Sequence, residues 1–167
     1  MGFSDTSMFM KISMALGIVA FIFDLIGFAS PYWLIQSGAG VTISNLLWQS
    51  CYSNDGSSEC KSLQSEGLTS EIKAGQAFNV LGFLAGGVAV VLIILYIFCL
   101  TNKKPVRLLG MIAAFVAAGL ILIGVIIIGT SDSAKSFVVG WAMILAIIGA
   151  ILYVVTGVMV VVDVVQI

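Results

Sequence analysis

The sequence predicts an all-α transmembrane four-helix bundle with a small β-structured segment in its first loop. Three observations carry this. Hydrophobic residues make up 60% of the chain and charged ones 9%, against about a quarter charged in soluble proteins; a core of this size cannot hide so much apolar surface from water. The apolar residues gather into four runs of about 22 to 26 residues, and about 20 helical residues cross a ~30 Å hydrocarbon layer. The one long polar interval, 30–75, holds two cysteines around a turn sequence. The chain reads as a single membrane domain over 1–167.

The first span runs from about Met8 to Ala29. Its apolar run is longer than that of a signal peptide, no small-x-small cleavage site is clear, and Pro31 stands where cleavage would fall, so a retained helix is expected. The second span covers about 76–100, the third about 106–129 and the fourth about 137–162. Glycine and β-branched residues inside them do not argue for strands, because transmembrane helices tolerate both and barrel strands would alternate apolar with polar. Basic residues set the orientation. The connection TNKKPVR carries Lys103, Lys104 and Arg107 with no acid, and Lys11 heads the first span. The loop at 101–105 is therefore expected in the cytoplasm with both termini, and the loops at 30–75 and 130–136 outside the cell.

An oxidising exterior allows Cys51 and Cys60 to form a disulfide. Between them lies Asn54-Asp55-Gly56-Ser57-Ser58, and Asp-Gly is a two-residue hairpin signal. The preceding VTISNLLWQSCYS is rich in β-formers, so a hairpin tied near its tip is expected, with the closure contributing roughly 2–3 kcal/mol. Trp33 follows Pro31-Tyr32 at the outer end of the first span, a position that suits an interface anchor. Trp48 lies mid-loop, where a large aromatic can supply a small sheet with a core at the membrane rim. Cys99, at the inner end of the second span, reads either as a plain apolar residue or as a site of reversible palmitoylation.

Within the spans, Asp24 is expected to face the bundle, about 9 Å below the outer end at 1.5 Å per residue. Asn79 lies at a similar depth on the second span, and the two are expected to be hydrogen-bonded neighbours. Small residues recur at four-residue spacing: Gly82 and Gly86; Gly110, Ala114 and Ala118; Ala142, Ala146 and Ala150. They fit either close packing inside one bundle or lateral association between bundles. Catalysis is not expected. The chain has no histidine, no Cys-x-x-Cys, no nucleophile elbow and no phosphate loop, so no catalytic, cofactor or metal residue is assigned. A net charge of −1 gives no footprint for nucleic acid.

Trp33, Leu47-Trp48, Cys51 and Cys60 together resemble the W…LW-x-x-C…C signature of the claudin superfamily. This group includes tight-junction claudins, peripheral myelin and epithelial membrane proteins, and calcium-channel gamma and glutamate-receptor regulatory subunits. The resemblance extends to span number, orientation and loop lengths. It implies a left-handed bundle under an extracellular antiparallel sheet, a disulfide between adjacent strands, and Trp33, Leu47 and Trp48 tucking the sheet into the bundle's outer end. The chain departs from the claudin pattern in three places. Leu46 stands where Gly is usual, Gln76 where an arginine is usual, and the second outer loop is only TSDSAKS. A fifth strand is expected only if the helices end early.

The resemblance implies a junction protein of the plasma membrane, homo-oligomeric in the membrane plane and in trans contact with the same family, forming a barrier or a paracellular pore. Asp55, Glu59, Lys61 and Glu66 are then candidates for selectivity, or simply a solvated loop surface. The alternative is an accessory tetraspan, of the epithelial membrane protein or channel-subunit kind, that binds partners laterally. The tail VVQI has the pattern of a PDZ ligand, but too few residues follow the fourth span for it to be expected to reach a PDZ groove.

Overall fold

The computed structural model describes residues 6–30, 32–38, 41–45, 47–54, 57–62, 69–100, 104–131 and 137–166. Among them are four long helices, α1 (Met8–Ala29), α2 (Ser70–Phe98), α3 (Lys104–Thr130) and α4 (Trp141–Gln166). All four are long and apolar enough to cross a membrane. Five strands join them: β1 (Leu34–Gly38), β2 (Val41–Asn45), β3 (Gln49–Asn54), β4 (Ser57–Ser62) and β5 (Val138–Val139).

The helix ends follow local chemistry rather than hydropathy. Ser7 caps α1, its hydroxyl accepting from the Met10 amide at 3.2 Å, as serine does at this position. The second helix starts six residues before its apolar run, at Ser70, with Glu71 in its first turn, where a carboxylate meets the positive end of the helix dipole. Helical hydrogen bonding continues outside the apolar stretch, which marks only the lipid-embedded part. Pro105 sits in the first turn of α3, where its missing N–H costs nothing. At the other end of α3 the Ser131 hydroxyl donates to the Ile128 carbonyl at 2.8 Å. The fourth helix begins at Trp141, four residues later than hydropathy places it, because Val138 and Val139 pair as a strand.

The sheet is antiparallel with strand order β4-β3-β2-β1-β5. It caps the end of the bundle where α1 and α3 finish and α2 and α4 begin. The polar interval expected as one hairpin is thus a four-stranded meander. Its β-rich flank divides into β2 and β3 around Leu47, which leaves the sheet and enters the bundle, 2% exposed. Asn54 pairs with Ser57 across β3 and β4, and the turn residues between them, Asp55 and Gly56, lie outside the described residues. The fifth strand, doubtful from so short a loop, forms because α4 starts late: Leu34 pairs with Val139 and Ile35 with Val138.

In lipid, apolar surface alone does not hold helices together; close packing does. The stripes of small residues supply it. Gly82, Gly86 and Ala89 on α2, Ala114, Ala117 and Ala118 on α3, and Ala142, Ala146 and Ala150 on α4 are all buried within the bundle. A Cβ on Gly82 would meet Ile121 of α3 at 2.7 Å, and one on Gly27 the Ala142 carbonyl of α4 at 2.9 Å. These stripes are used up inside one bundle. Large side chains such as Leu81, Leu84, Val91 and Ile126 point outward, as a lipid-facing surface requires.

Candidate functional site

The junction between sheet and bundle gathers most of the signature residues. Trp33 is 2% exposed, and its indole N–H donates to the Gly27 carbonyl at 2.8 Å. It is therefore a buried core residue rather than an interface anchor. The α1 helix ends just before it, so the freed carbonyls of the last turn need donors, and the indole provides one in an apolar setting. Leu47 fills the neighbouring space, and the Gln76 side-chain amide donates to the Leu47 carbonyl. Gln76, which stands where claudins usually carry arginine, thus ties the loop between β2 and β3 to α2 without a charge.

Trp48 differs from its expected role. It is 38% exposed and lies against the flank of the bundle, edge-on to Phe28 with centroids 5.4 Å apart. Phe28 stacks on Phe83, and Phe83 on Phe21. Two consecutive residues cannot both turn inward where the chain leaves a strand; Leu47 enters the bundle and Trp48 extends an aromatic stack on the sheet-facing part of α1 and α2. Geometry of this kind, with rings in edge and offset contact, contributes beyond area burial.

Cys51 and Cys60 are directly opposite in the β3–β4 register and are joined by a disulfide. On the other side of the sheet the Gly140 amide donates to the Trp33 carbonyl at 2.8 Å. Gly140 passes so close to the Tyr32 carbonyl that a Cβ there would collide with backbone. This glycine is what lets β5 lie beside β1 and turn at once into α4. Trp141 then lies tilted against Tyr32, with ring centroids 5.8 Å apart.

Of the candidate surface charges, Glu59 and Lys61 are exposed on β4, the strand at one edge of the sheet. Asp55 and Glu66 lie outside the described residues. Cys99 is a free, exposed thiol at the C-cap of α2. The helix α4 continues to Gln166, so Val164, Val165 and Gln166 are helical rather than extended.

Asp24 and Asn79 are not paired, contrary to expectation. Asn79 donates to the Gly75 carbonyl of its own helix at 2.8 Å and packs against Gly124 of α3. Asp24 faces α4, with Gly149 against its backbone. Equal depth does not make neighbours: α1 packs chiefly on α4 and α2 on α3, so these two side chains are drawn to different partners. Asp163, one residue past the apolar run of the fourth span, lies inside α4 and is 2% exposed.

Asp163 belongs to a second polar cluster, at the end of the bundle away from the sheet. Arg107 Nη1 donates to Asp163 Oδ2 at 2.8 Å. The Ser7 hydroxyl donates to Asp163 Oδ1, and the guanidinium lies 5.8 Å above the Tyr96 ring. The cap of α1, the first turn of α3, the last turns of α4 and the end of α2 meet here. The sequence signal was available: an acid at one helix end and a base at another, each flanked by apolar residues. Arg107 also belongs to the basic connection that sets orientation.

A family model for the PMP-22/EMP/MP20/Claudin family matches residues 6–160. The chain belongs to that family. No curated protein matches it. Members of this family are structural, non-catalytic membrane proteins, and that role fits a claudin-family chain whose marked residues are spent on holding a sheet to a bundle. Trp33 and Leu47 lock the sheet down from inside, Trp48 from the flank, the disulfide joins β3 to β4, and Gly140 admits the strand from the second loop.

Proposed function

We propose that this claudin-family chain is a junction protein of the plasma membrane, and that its sheet associates with copies in the same membrane and in the opposing one to form a barrier or a paracellular pore. The observation that carries the reading is β5. Short as the second loop is, it contributes a strand to β1, so both loops present one surface. Val138 is 73% exposed and Val139 49%, beside Trp141. An apolar edge of two residues paired to β1 suits contact with another protein better than contact with water. At the opposite edge, β4 offers Glu59 and Lys61, and charges on such a surface would set ion selectivity. The sidedness rests on Lys103, Lys104 and Arg107 in the cytoplasm and on the disulfide outside.

The reading is tested by mixing fibroblasts that lack junctions and express the tagged chain with untransfected ones. Accumulation at contacts between two expressing cells, and not at contacts with untransfected cells, is the expected result. A second reading, an accessory tetraspan that grips partners laterally, draws support from an open apolar groove of about 410 Å³ lined by Phe21, Phe83, Leu84, Gly87, Val88, Val91 and Leu92. Uniform surface distribution in the same experiment would move the assignment to it.

A further inference from the structure

The middle of the bundle holds two polar groups that packing leaves without partners. Asp24 of α1 is 3% exposed and Tyr153 of α4 is 0% exposed. Neither Asp24 Oδ2 nor the Tyr153 hydroxyl has a hydrogen-bond partner among the described residues. Buried polar atoms in native proteins are almost always satisfied, by protein or by ordered water, and in hydrocarbon the cost of leaving them bare is larger still.

The two groups converge. Side chains on a helix lean toward its N-terminus. The first helix rises toward the sheet and α4 descends from it, so Asp24 leans away from the sheet and Tyr153 leans toward it. Gly149, one turn sheetward of Tyr153 on the same face of α4, lies against Asp24: a Cβ there would meet the Asp24 amide nitrogen at 3.3 Å. The carboxyl and the phenol therefore approach each other within about one helical turn, ~5.4 Å of rise. Yet no direct hydrogen bond joins them. Gly86 of α2 receives the Tyr153 hydroxyl on its bare Cα, which holds that hydroxyl at the bundle axis rather than letting it turn toward an edge.

We propose that Asp24 and Tyr153 together bind one internal water molecule, which bridges α1 to α4 in the bundle core. The water donates to Asp24 Oδ2 and accepts from or donates to the Tyr153 hydroxyl; two to four polar partners are what a buried water requires. The site is a structural binding site for solvent, distinct from the sheet surface. It explains an acid in the first span without an ion relay: among the described residues no basic side chain pairs with it.

The test is a structure of the full chain in a lipid phase, at a resolution that shows ordered solvent, for the wild type and for Tyr153→Phe. The expected result is a single water within hydrogen-bond distance of both Asp24 and Tyr153, lost in the variant. A direct carboxyl–phenol contact, a dry site, a metal ion in place of the water, or a water unmoved by Tyr153→Phe would overturn the proposal. Melting of the purified protein gives an independent readout. Tyr153→Phe and Asp24→Asn each lower the melting temperature, and the double variant falls less than the two shifts added. Additive shifts would contradict a shared ligand.

Discussion

Replacing Arg107 with leucine removes the cation that Asp163 faces at 2.8 Å. The side chains are 7% and 3% exposed, so solvent cannot stand in. Breaking a buried pair by removing one partner costs about 3–5 kcal/mol, because the remaining charge is left uncompensated. At about 1.4 kcal/mol per factor of ten, that lowers the folded-to-unfolded ratio by two to three and a half decades. The two single variants should differ. In Asp163→Leu the freed guanidinium sits on a long stem in the first turn of α3 and can swing toward the aqueous end, so this variant falls at the lower end of the range. In Arg107→Leu the short Asp163 cannot reach water and, among the described residues, keeps only the Ser7 hydroxyl, so this variant falls at the upper end. Replacing both with leucine removes the charge problem and returns most of the loss. The assay is unfolding of the purified chain in mixed micelles, with surface delivery in cells as a second readout. Arg107→Leu unfolding at the wild-type midpoint, or a double variant as unstable as Arg107→Leu, would refute the reasoning.

Three further outcomes are expected. Serine at both Cys51 and Cys60 removes the β3–β4 disulfide and about 2–3 kcal/mol of stability, read as loss of the reduction-dependent gel shift and a lower melting temperature. Gly140→Ala forces a Cβ onto the Tyr32 carbonyl, whereas nothing lies within 4 Å of a Cβ on Gly119; surface delivery should fall for the first and hold for Gly119→Ala. Trp33→Phe keeps most of the ring but leaves the Gly27 carbonyl without its donor, a loss of about 1–3 kcal/mol visible in the unfolding midpoint.

Hydropathy made the four spans legible, because a lipid-facing helix must be apolar along its whole embedded length. It could not place their ends. Gly140 and the Val138–Val139 pairing set the start of α4, and neither registers as a drop in hydropathy. The cysteine pair around Asp55-Gly56 pointed to β3 and β4. The strand β1, LIQSG, was hidden because polar alternation in a loop does not reveal which partner it will pair with, and the β-formers of VTISN marked a hairpin flank without showing that β2 is a strand of its own. Asp24 was correctly expected to face inward, but its partner depends on which helices touch, and helix adjacency is not written in depth along the chain. The Arg107–Asp163 pair was missed for the same reason, since the two residues are 56 positions apart. Exposure at Trp48 follows from the direction in which the chain leaves β2, a detail of geometry to which a motif is blind.

Freeze-fracture electron microscopy of junction-free fibroblasts expressing the chain tests the proposed function most directly. Continuous intramembrane strands where two expressing cells meet are the expected result, since a sheet joined to both loops would polymerise in the membrane plane. Dispersed particles in cells with full surface expression would contradict it.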